Sequence, residues 1–409
     1  MARILTILPY VPWPADNGGS LRTLRLLEGL DARHDVTVLA VDLRGAGPAA
    51  LGRRLRGRIH VFRPGLRDTL RDLAGVAVGQ PLRYGRFDGD GMRRALDAVL
   101  ATGPFELVHV DHLHLAPLIP HLRRSLPDAP VVLDEHNVES QIVERLAGVE
   151  GGARGLALRL HAAAIRRVER RAVAAADAVL CCSDEDAREL RRLGARRLEV
   201  VPNGVDLEAA ALQDRVPGRD LVFVGSLDWR PNALAAIELA REIWPLVRRR
   251  LAGVRLVLVG RNPPAEVRRL EAADVVVTGT VPSVEPWLRA AFATAMPLRA
   301  GSGTRLKVLE AAAAGVPIVA TRLTFEGLPF EHGRDLLVAD GAREFADAIV
   351  LLRKDAAAAA RLAAGALASA RAFAWPSVTA RVLSLYASLL AGRTSDARLP
   401  AAALAPAAS

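Results

Sequence analysis

The strongest constraint in this chain is a rhythm. Short β-branched runs alternate with helix-length segments from one end to the other. Seven such runs fall at residues 3–8, 35–41, 58–62, 107–111, 130–136, 178–183 and 198–203. Six more fall at 221–226, 254–260, 275–279, 293–298, 317–321 and 336–340. Runs that are apolar almost throughout suit strands buried on both faces, as in parallel sheets covered by helices. The predicted class is therefore α/β. Thirteen strands in one open sheet would be unusual. Two doubly wound, Rossmann-like domains are predicted instead, facing each other across a cleft. The first spans 1–205 and the second 218–376. Residues 206–217 are the linker between them. Residues 377–391 read as an amphipathic helix, and the low-complexity tail 392–409 as disordered.

Composition narrows the class further. Hydrophobic residues make up 51% of the chain and aromatics only 4%. Such a core is built from Ala, Val and Leu, which suits helices packed on strands better than a small aromatic-rich β module. The net charge of +10 comes mainly from Arg. It is consistent with an Arg-rich base composition, and equally with attraction to phosphate-bearing partners. No zinc-finger, RNA-recognition or basic-region motif is present, so nucleic acid is not an expected partner. The basic stretches 52–68 and 154–173 make an anionic membrane surface a candidate partner. Cys181 and Cys182 are adjacent and offer no disulfide framework, which suits a reducing compartment. The N-terminus reads as a buried strand and not as a signal peptide. No run approaches the about 18 apolar residues of a spanning helix. The expected location is cytoplasmic, with peripheral contact at the inner face of the cell membrane as a companion reading.

Open parallel sheets bind ligands beyond the carboxyl ends of their strands, so the loops there carry the most weight. After the first strand, Asn17-Gly18-Gly19-Ser20 opens a helix. Two glycines let a substrate approach backbone N–H groups at the positive end of that helix. The spacing is not GxGxxG, so no dinucleotide fingerprint is present. A flexible loop with a Ser cap is the competing reading. VHVDHLHL supplies His109, His112 and His114. Beyond Asp111 nothing completes a metal-ligand set, so ordinary cleft or structural histidines are favoured and no metal is expected. VVLDEHNVES places Asp134, Glu135 and His136 at another strand's end. His136 there suits an acceptor or a donor sugar, and a capped helix start suits the same residues equally. In SLDWRPN, Arg230 is placed to meet a phosphate, or else to face solvent.

GSGTRLKVLE, residues 301–310, follows a strand and opens a helix that Gly315 and Pro317 terminate. Gly301 and Gly303 leave backbone donors for a phosphate. Lys307 adds a point charge and Arg305 a bidentate contact. Lys307 and Glu310 lie on one helix stripe. Glu310 is an acceptor suited to two ribose hydroxyls. The competing reading is a surface Lys–Glu pair worth about 0.2–0.5 kcal/mol.

Taken together, these residues resemble the family 4 retaining glycosyltransferases of the GT-B type. The resemblance covers about residues 3–390. It rests on NGG, VVPNGVD (200–206), FVGSLDWRPN (223–232), LVLVGRNP (256–263), VTGTVPSVEPWL (277–288), GSGTRLKVLEAAAAGVPIVAT (301–321) and GRDLLVAD (333–340). The version of these motifs looks like the branch found with exopolysaccharide or other surface-glycan genes. The resemblance implies a nucleotide-sugar donor on the second domain and an acceptor on the first. It also implies a last helix that crosses back to the first domain. Implied donor-side residues are Gly225, Ser226, Arg230, Gly260, Gly301, Ser302, Gly303, Thr304, Arg305, Lys307, Leu309 and Glu310. Implied acceptor-side residues are Asn17, Gly18, Gly19, His112 and His136. His136, Arg230, Lys307 and Glu310 are the candidates for catalysis, with no metal and no cofactor required. Ser302 departs from the family pattern, because it stands where a first glutamate eight residues before Glu310 is usual. The expected acceptor is a glycan, a lipid-linked sugar or a small-molecule hydroxyl. A nucleotide-sugar epimerase of the same fold is the alternative within the class, and a basic nucleic-acid-binding protein the one outside it.

Overall fold

A computed structural model describes residues 1–43, 45, 47–68, 70, 81, 84–207 and 217–396. Most of the predicted linker (208–216) and of the tail (397–409) lie outside the described residues. Thirteen strands are present among the described residues, in two sheets. The first contains β1 (Arg3–Leu8), β2 (Asp35–Val41), β3 (Arg58–Phe62), β4 (Leu107–Asp111), β5 (Val131–Glu135), β6 (Ala178–Cys181) and β7 (Leu198–Val200), in the order β3-β2-β1-β4-β5-β6-β7. The second contains β8 (Asp220–Val224), β9 (Arg255–Val259), β10 (Val275–Gly279), β11 (Ala291–Met296), β12 (Ile318–Ala320) and β13 (Leu337–Val338), in the order β10-β9-β8-β11-β12-β13. Every ladder between them is parallel.

The two sheets repeat one topology. In each, the chain winds outward from the first strand, returns, and continues on the other side. The reversal points lie between β1 and β4 and between β8 and β11. A crevice opens at such a point, because the two following connections leave toward opposite faces of the sheet. The strands are buried on both faces for the reason their composition implies. Ile4, Leu5, Ile7 and Leu8 of β1 are all fully buried, and side chains from alternate positions join different core clusters.

The last helix runs Trp375–Asp396. It starts two residues before the predicted one and continues through residues 392–396 of the predicted tail. Val378, Val382, Leu385, Tyr386 and Leu389 pack with Leu24, Leu27 and Leu30 in the first domain's core. The approach is close: a Cβ on Gly29 would fall 2.1 Å from Thr379 Cγ2. The polypeptide therefore crosses to the second domain near residue 205 and returns near 375, where Val205 N–H donates to Phe373 O at 2.8 Å. This double crossing is the GT-B architecture. Among the described residues no helix is long and apolar enough to cross a membrane.

Candidate active site between the two domains

Both reversal points face the same cleft, and the loops from them meet there. Asn17 caps the helix Gly18–Asp31, its side chain accepting from Ser20 N–H at 3.0 Å. Gly18 and Gly19 form the first turn. A Cβ on Gly18 would touch Leu306 of the second domain at 3.5 Å. One on Gly19 would lie 3.1 Å from the Tyr10 hydroxyl and 3.7 Å from His136 Nδ1. The predicted acceptor-side residues Gly18, Gly19 and His136 are thus brought together, with Gly18 against Leu306, the first residue of the helix Leu306–Ala313.

Behind them lies a buried polar network. His136 Nε2 and Asp111 Oδ1 are 2.8 Å apart, and Thr23 Oγ1 donates to the other Asp111 oxygen at 2.9 Å. Tyr10 OH meets His112 Nε2 at 2.7 Å. Arg22, itself buried, donates to Asp134 Oδ1 at 2.9 Å and to Val201 O at 2.7 Å. Burial disfavours the Asp134 carboxylate, but Arg22 overcomes it and holds this carboxyl well below its usual range. Burial pushes both His112 and His136 down to about 3, so their rings are neutral at ordinary pH. A neutral His136 that donates through Nε2 to Asp111 leaves Nδ1 as an acceptor on the Gly19 side. His112 has φ 67° and ψ 147°. Only glycine enters this region without strain, and such strain concentrates at functional sites.

Asp111, His112 and His136 bring ligand atoms within 4.8 Å of one another, as do His109, Asp111 and Asp134. Each imidazole already has a protein partner, including Tyr386 OH on His109 Nδ1 at 2.5 Å. Hydrogen bonding accounts for the cluster, apart from Asp134 Oδ2, which has no partner. His114 belongs to a separate group, stacked on Tyr84 and 3.4 Å from Glu139.

On the second-domain side, the helix Leu306–Ala313 begins without a side-chain cap; Val308 N–H turns back to Arg305 O at 3.0 Å, and the N–H groups of Leu306 and Lys307 lead the helix at its positive end. Lys307 turns inward. Its Nζ lies 2.5 Å from Asn232 Oδ1 and 4.8 Å from the centre of the Phe223 ring. Asn232 in turn donates to Ser226 O at 2.9 Å. Gly225 leaves no room for a side chain here, since a Cβ would fall 2.8 Å from Asn232 Nδ2 and 3.0 Å from Lys307 Nζ. Gly260 has the same role one strand over, with a Cβ position 1.8 Å from Gly225 O. Burial drives Lys307 down to about 7, with Arg305 adding to the effect. It drives Glu310 up to about 7, against the pull of Lys307. Glu310 lines a cavity of ≈ 250 Å³ between the domains, together with Leu306, Leu288 and Trp375. Leu309, on the same helix, is fully buried.

The loop before this helix differs from the uncovered cradle read from its glycines. Residues 301–305 are buried against the first domain. Gly303 N–H donates to Asp186 Oδ1 at 3.3 Å, and Ser302 Oγ accepts from Val138 N–H at 3.0 Å. Thr304 Oγ1 donates to Cys182 O, and Asn203 donates to Thr304 O at 2.7 Å. Arg305 folds back on Gly303 O at 2.6 Å, with Nε and Nη2 unpartnered. Burial lowers it to about 10. Arg230 is also engaged, by Glu150 of the first domain at 2.6 Å and by Glu266. The structure therefore groups Gly225, Ser226, Lys307 and Glu310, and separates Arg230, Ser302 and Gly303 from them as contacts between domains. Asp111, Arg22, Thr23, Tyr10 and Asp186 were missed as site residues. Their partners lie many residues away, so no local spacing marks them.

Comparison with known proteins finds matches to both domains. A model described as Glycosyltransferase Family 4 matches residues 16–209, and one described as Glycosyl transferases group 1 matches residues 218–355. The two halves of the chain thus match, one after the other, models of two glycosyltransferase groups. It is 33% identical over 255 residues to a D-inositol 3-phosphate glycosyltransferase of Xylanimonas cellulosilytica, covering 54% of this chain and 58% of that protein. It therefore spans little more than half the length of that curated relative. It is 27% identical to a phosphatidyl-myo-inositol mannosyltransferase of Mycolicibacterium smegmatis, over 94% of this chain and 93% of the relative. Among solved structures, sucrose-phosphate synthase of Thermosynechococcus elongatus shares the fold, with a TM-score of 0.73 at 18% identity, covering 95% of this chain and 100% of that one.

Proposed function

We propose that this protein transfers a sugar from a nucleotide diphosphate sugar to a hydroxyl acceptor, with retention and without a metal. The observation that carries the reading is the donor helix. It starts uncapped at the second domain's reversal point, with Lys307 at its first turn and Glu310 on the cavity one turn later. Departure of the nucleoside diphosphate builds negative charge on the bridging and terminal phosphate oxygens. The helix N–H groups and a Lys307 that gains its proton as the phosphates arrive stabilise that charge. Glu310 accepts hydrogen bonds from the ribose. The acceptor hydroxyl attacks from the same face as the leaving group, whose oxygen takes the hydroxyl proton. His136, whose Nδ1 lies beside Gly19, accepts a hydrogen bond from the acceptor and aligns it. Closure of the domains excludes water, which would otherwise hydrolyse the donor.

The relatives named for inositol-based acceptors favour a polyol or sugar hydroxyl, free or carried on a phospholipid, within glycan synthesis. A peripheral membrane contact at an inner membrane face belongs to the lipid-borne form of this reading. The helix Gly152–Ala175 supports it, exposing Leu156 and Leu160 among several arginines. Sedimentation with anionic and with neutral vesicles tests that part. The transfer itself is tested by incubating the protein with nucleotide sugars and inositol or sugar acceptors. Product formation is followed by mass spectrometry, and the anomeric configuration is read by NMR. A product with inverted configuration, or donor altered without acceptor, would contradict the proposal.

A further inference from the structure

The nucleotide-sugar reading leaves the base unnamed, and the cavity beside Glu310 bears on it. Glu285 and Arg289 line the same cavity as Glu310. They stand four residues apart, with Oε1 and Nη1 separated by 3.5 Å. An acceptor and a donor are thus presented side by side where a base joined to a Glu310-bound ribose would lie. We infer that this pair selects guanine, so that the donor is a guanosine diphosphate sugar. The inference rests on the transferase reading above.

The chemistry of the base edges decides between candidates. Guanine presents O6, N1–H and the N2 amino group in a row: one acceptor, then two donors. Arg289 donates to O6, while the two oxygens of Glu285 accept from N1–H and N2–H. Uracil presents O4, N3–H and O2, so the second Glu285 oxygen would face another acceptor. Adenine offers the amino group and then a bare N1, which satisfies one carboxylate oxygen and opposes the other. A site built around a donor pair rejects a ligand that lacks one of them, because a polar group is left unpaired.

Two further features agree. The other carboxylate in the wall, Asp206, is held by Arg25 at 2.6 Å and does not compete for the base. Trp375 also lines the cavity. It is 5% exposed, and its indole N–H has no partner. Beyond O6, guanine has N3 and N7 as acceptors for such a donor, and the indole is a flat wall for a purine. The ring is pressed against Gly204, where a Cβ would fall 2.5 Å from the indole carbons.

Isothermal titration of the full chain with GDP, UDP and ADP tests the inference. Glu285 is largely exposed, so the preference for GDP over UDP is about tenfold. Glu285→Gln replaces one acceptor by an amide N–H, which suits uracil O2. This variant loses the preference or turns it toward UDP. Equal or tighter binding of UDP by the unaltered protein would overturn the inference, as would a Glu285→Gln variant with an unchanged GDP-to-UDP ratio. If none of the three nucleotides binds, the transferase reading falls and the base assignment with it, which separates the two failures.

Discussion

Arg230 of the second domain and Glu150 of the first meet across the cleft, Nε to Oε1 at 2.6 Å. The contact has company: Arg145 grips Glu326 through two bonds of 2.6 and 3.0 Å, and Arg261 reaches Asp16 at 2.8 Å. These pairs, with the burial of residues 301–305, describe a closed arrangement. Partly exposed pairs contribute about 0.2–1 kcal/mol each, so closure is held lightly and by several contacts. Glu150→Ala combined with Glu326→Ala is expected to open the unliganded protein. Small-angle scattering should show a larger radius of gyration for the double variant, and the difference should shrink at high salt, where screening weakens the pairs in the unaltered protein. Unchanged scattering would show that the ion pairs do not hold the domains.

Asp111 is a positioning residue for His136. Asp111→Asn leaves the ring in place but removes the charge that fixes its tautomer. A misoriented acceptor costs on the order of 10²-fold in turnover. The expected result is a fall in kcat of that size with donor KM little changed. Because burial holds His136 down to about 3, activity of the unaltered protein should show no imidazole titration above pH 5. An acidic limb near pH 6.5 that disappears in His136→Gln would contradict this.

Glu310 also leaves a trace in stability. Burial raises its carboxyl from 4.5 to about 7. Between those values the native state binds the proton more tightly than the unfolded chain, so this group's contribution falls as pH rises through that window. Lys307 acts in the opposite sense at higher pH. Its folded value near 7 lies below the unfolded 10.5, so its contribution rises from pH 7 to 10.5. Glu310→Gln should therefore melt at a higher temperature than the parent at pH 8, with the difference gone at pH 4.5. Equal melting at both pH values would show that the Glu310 carboxyl is not held above its usual range.

The fold was legible in the sequence because parallel strands buried on both faces must be apolar almost throughout, and the thirteen runs are. The site was legible in part, and the division has a physical basis. Gly18, Gly19, Gly225, Lys307 and Glu310 lie in loops or the first two helical turns after strands, where topology alone directs them to the cleft. Arg230 and Ser302 lie in the same kind of loop. Their partners Glu150 and Val138 belong to the other domain, and no local pattern shows how closed two domains stand. The same holds for Arg22 with Asp134, 112 residues apart in the chain. The start of the last helix at Trp375 was missed because Pro376 reads as a boundary. A proline in a helix's first turn costs no hydrogen bond, and the helix begins there.

The central claim is that the helix Leu306–Ala313 holds the donor's diphosphate and ribose. The most direct measurement is a thermal shift of the unaltered protein and of Glu310→Ala with a panel of nucleotide sugars and nucleoside diphosphates. A ligand at 100 times its Kd stabilises the native state by about 2.7 kcal/mol. At least one nucleotide should raise the melting temperature of the unaltered protein by several degrees, and Glu310→Ala should lose most of that shift while remaining folded. An equal shift in both proteins, or none from any nucleotide in the unaltered one, would contradict the account.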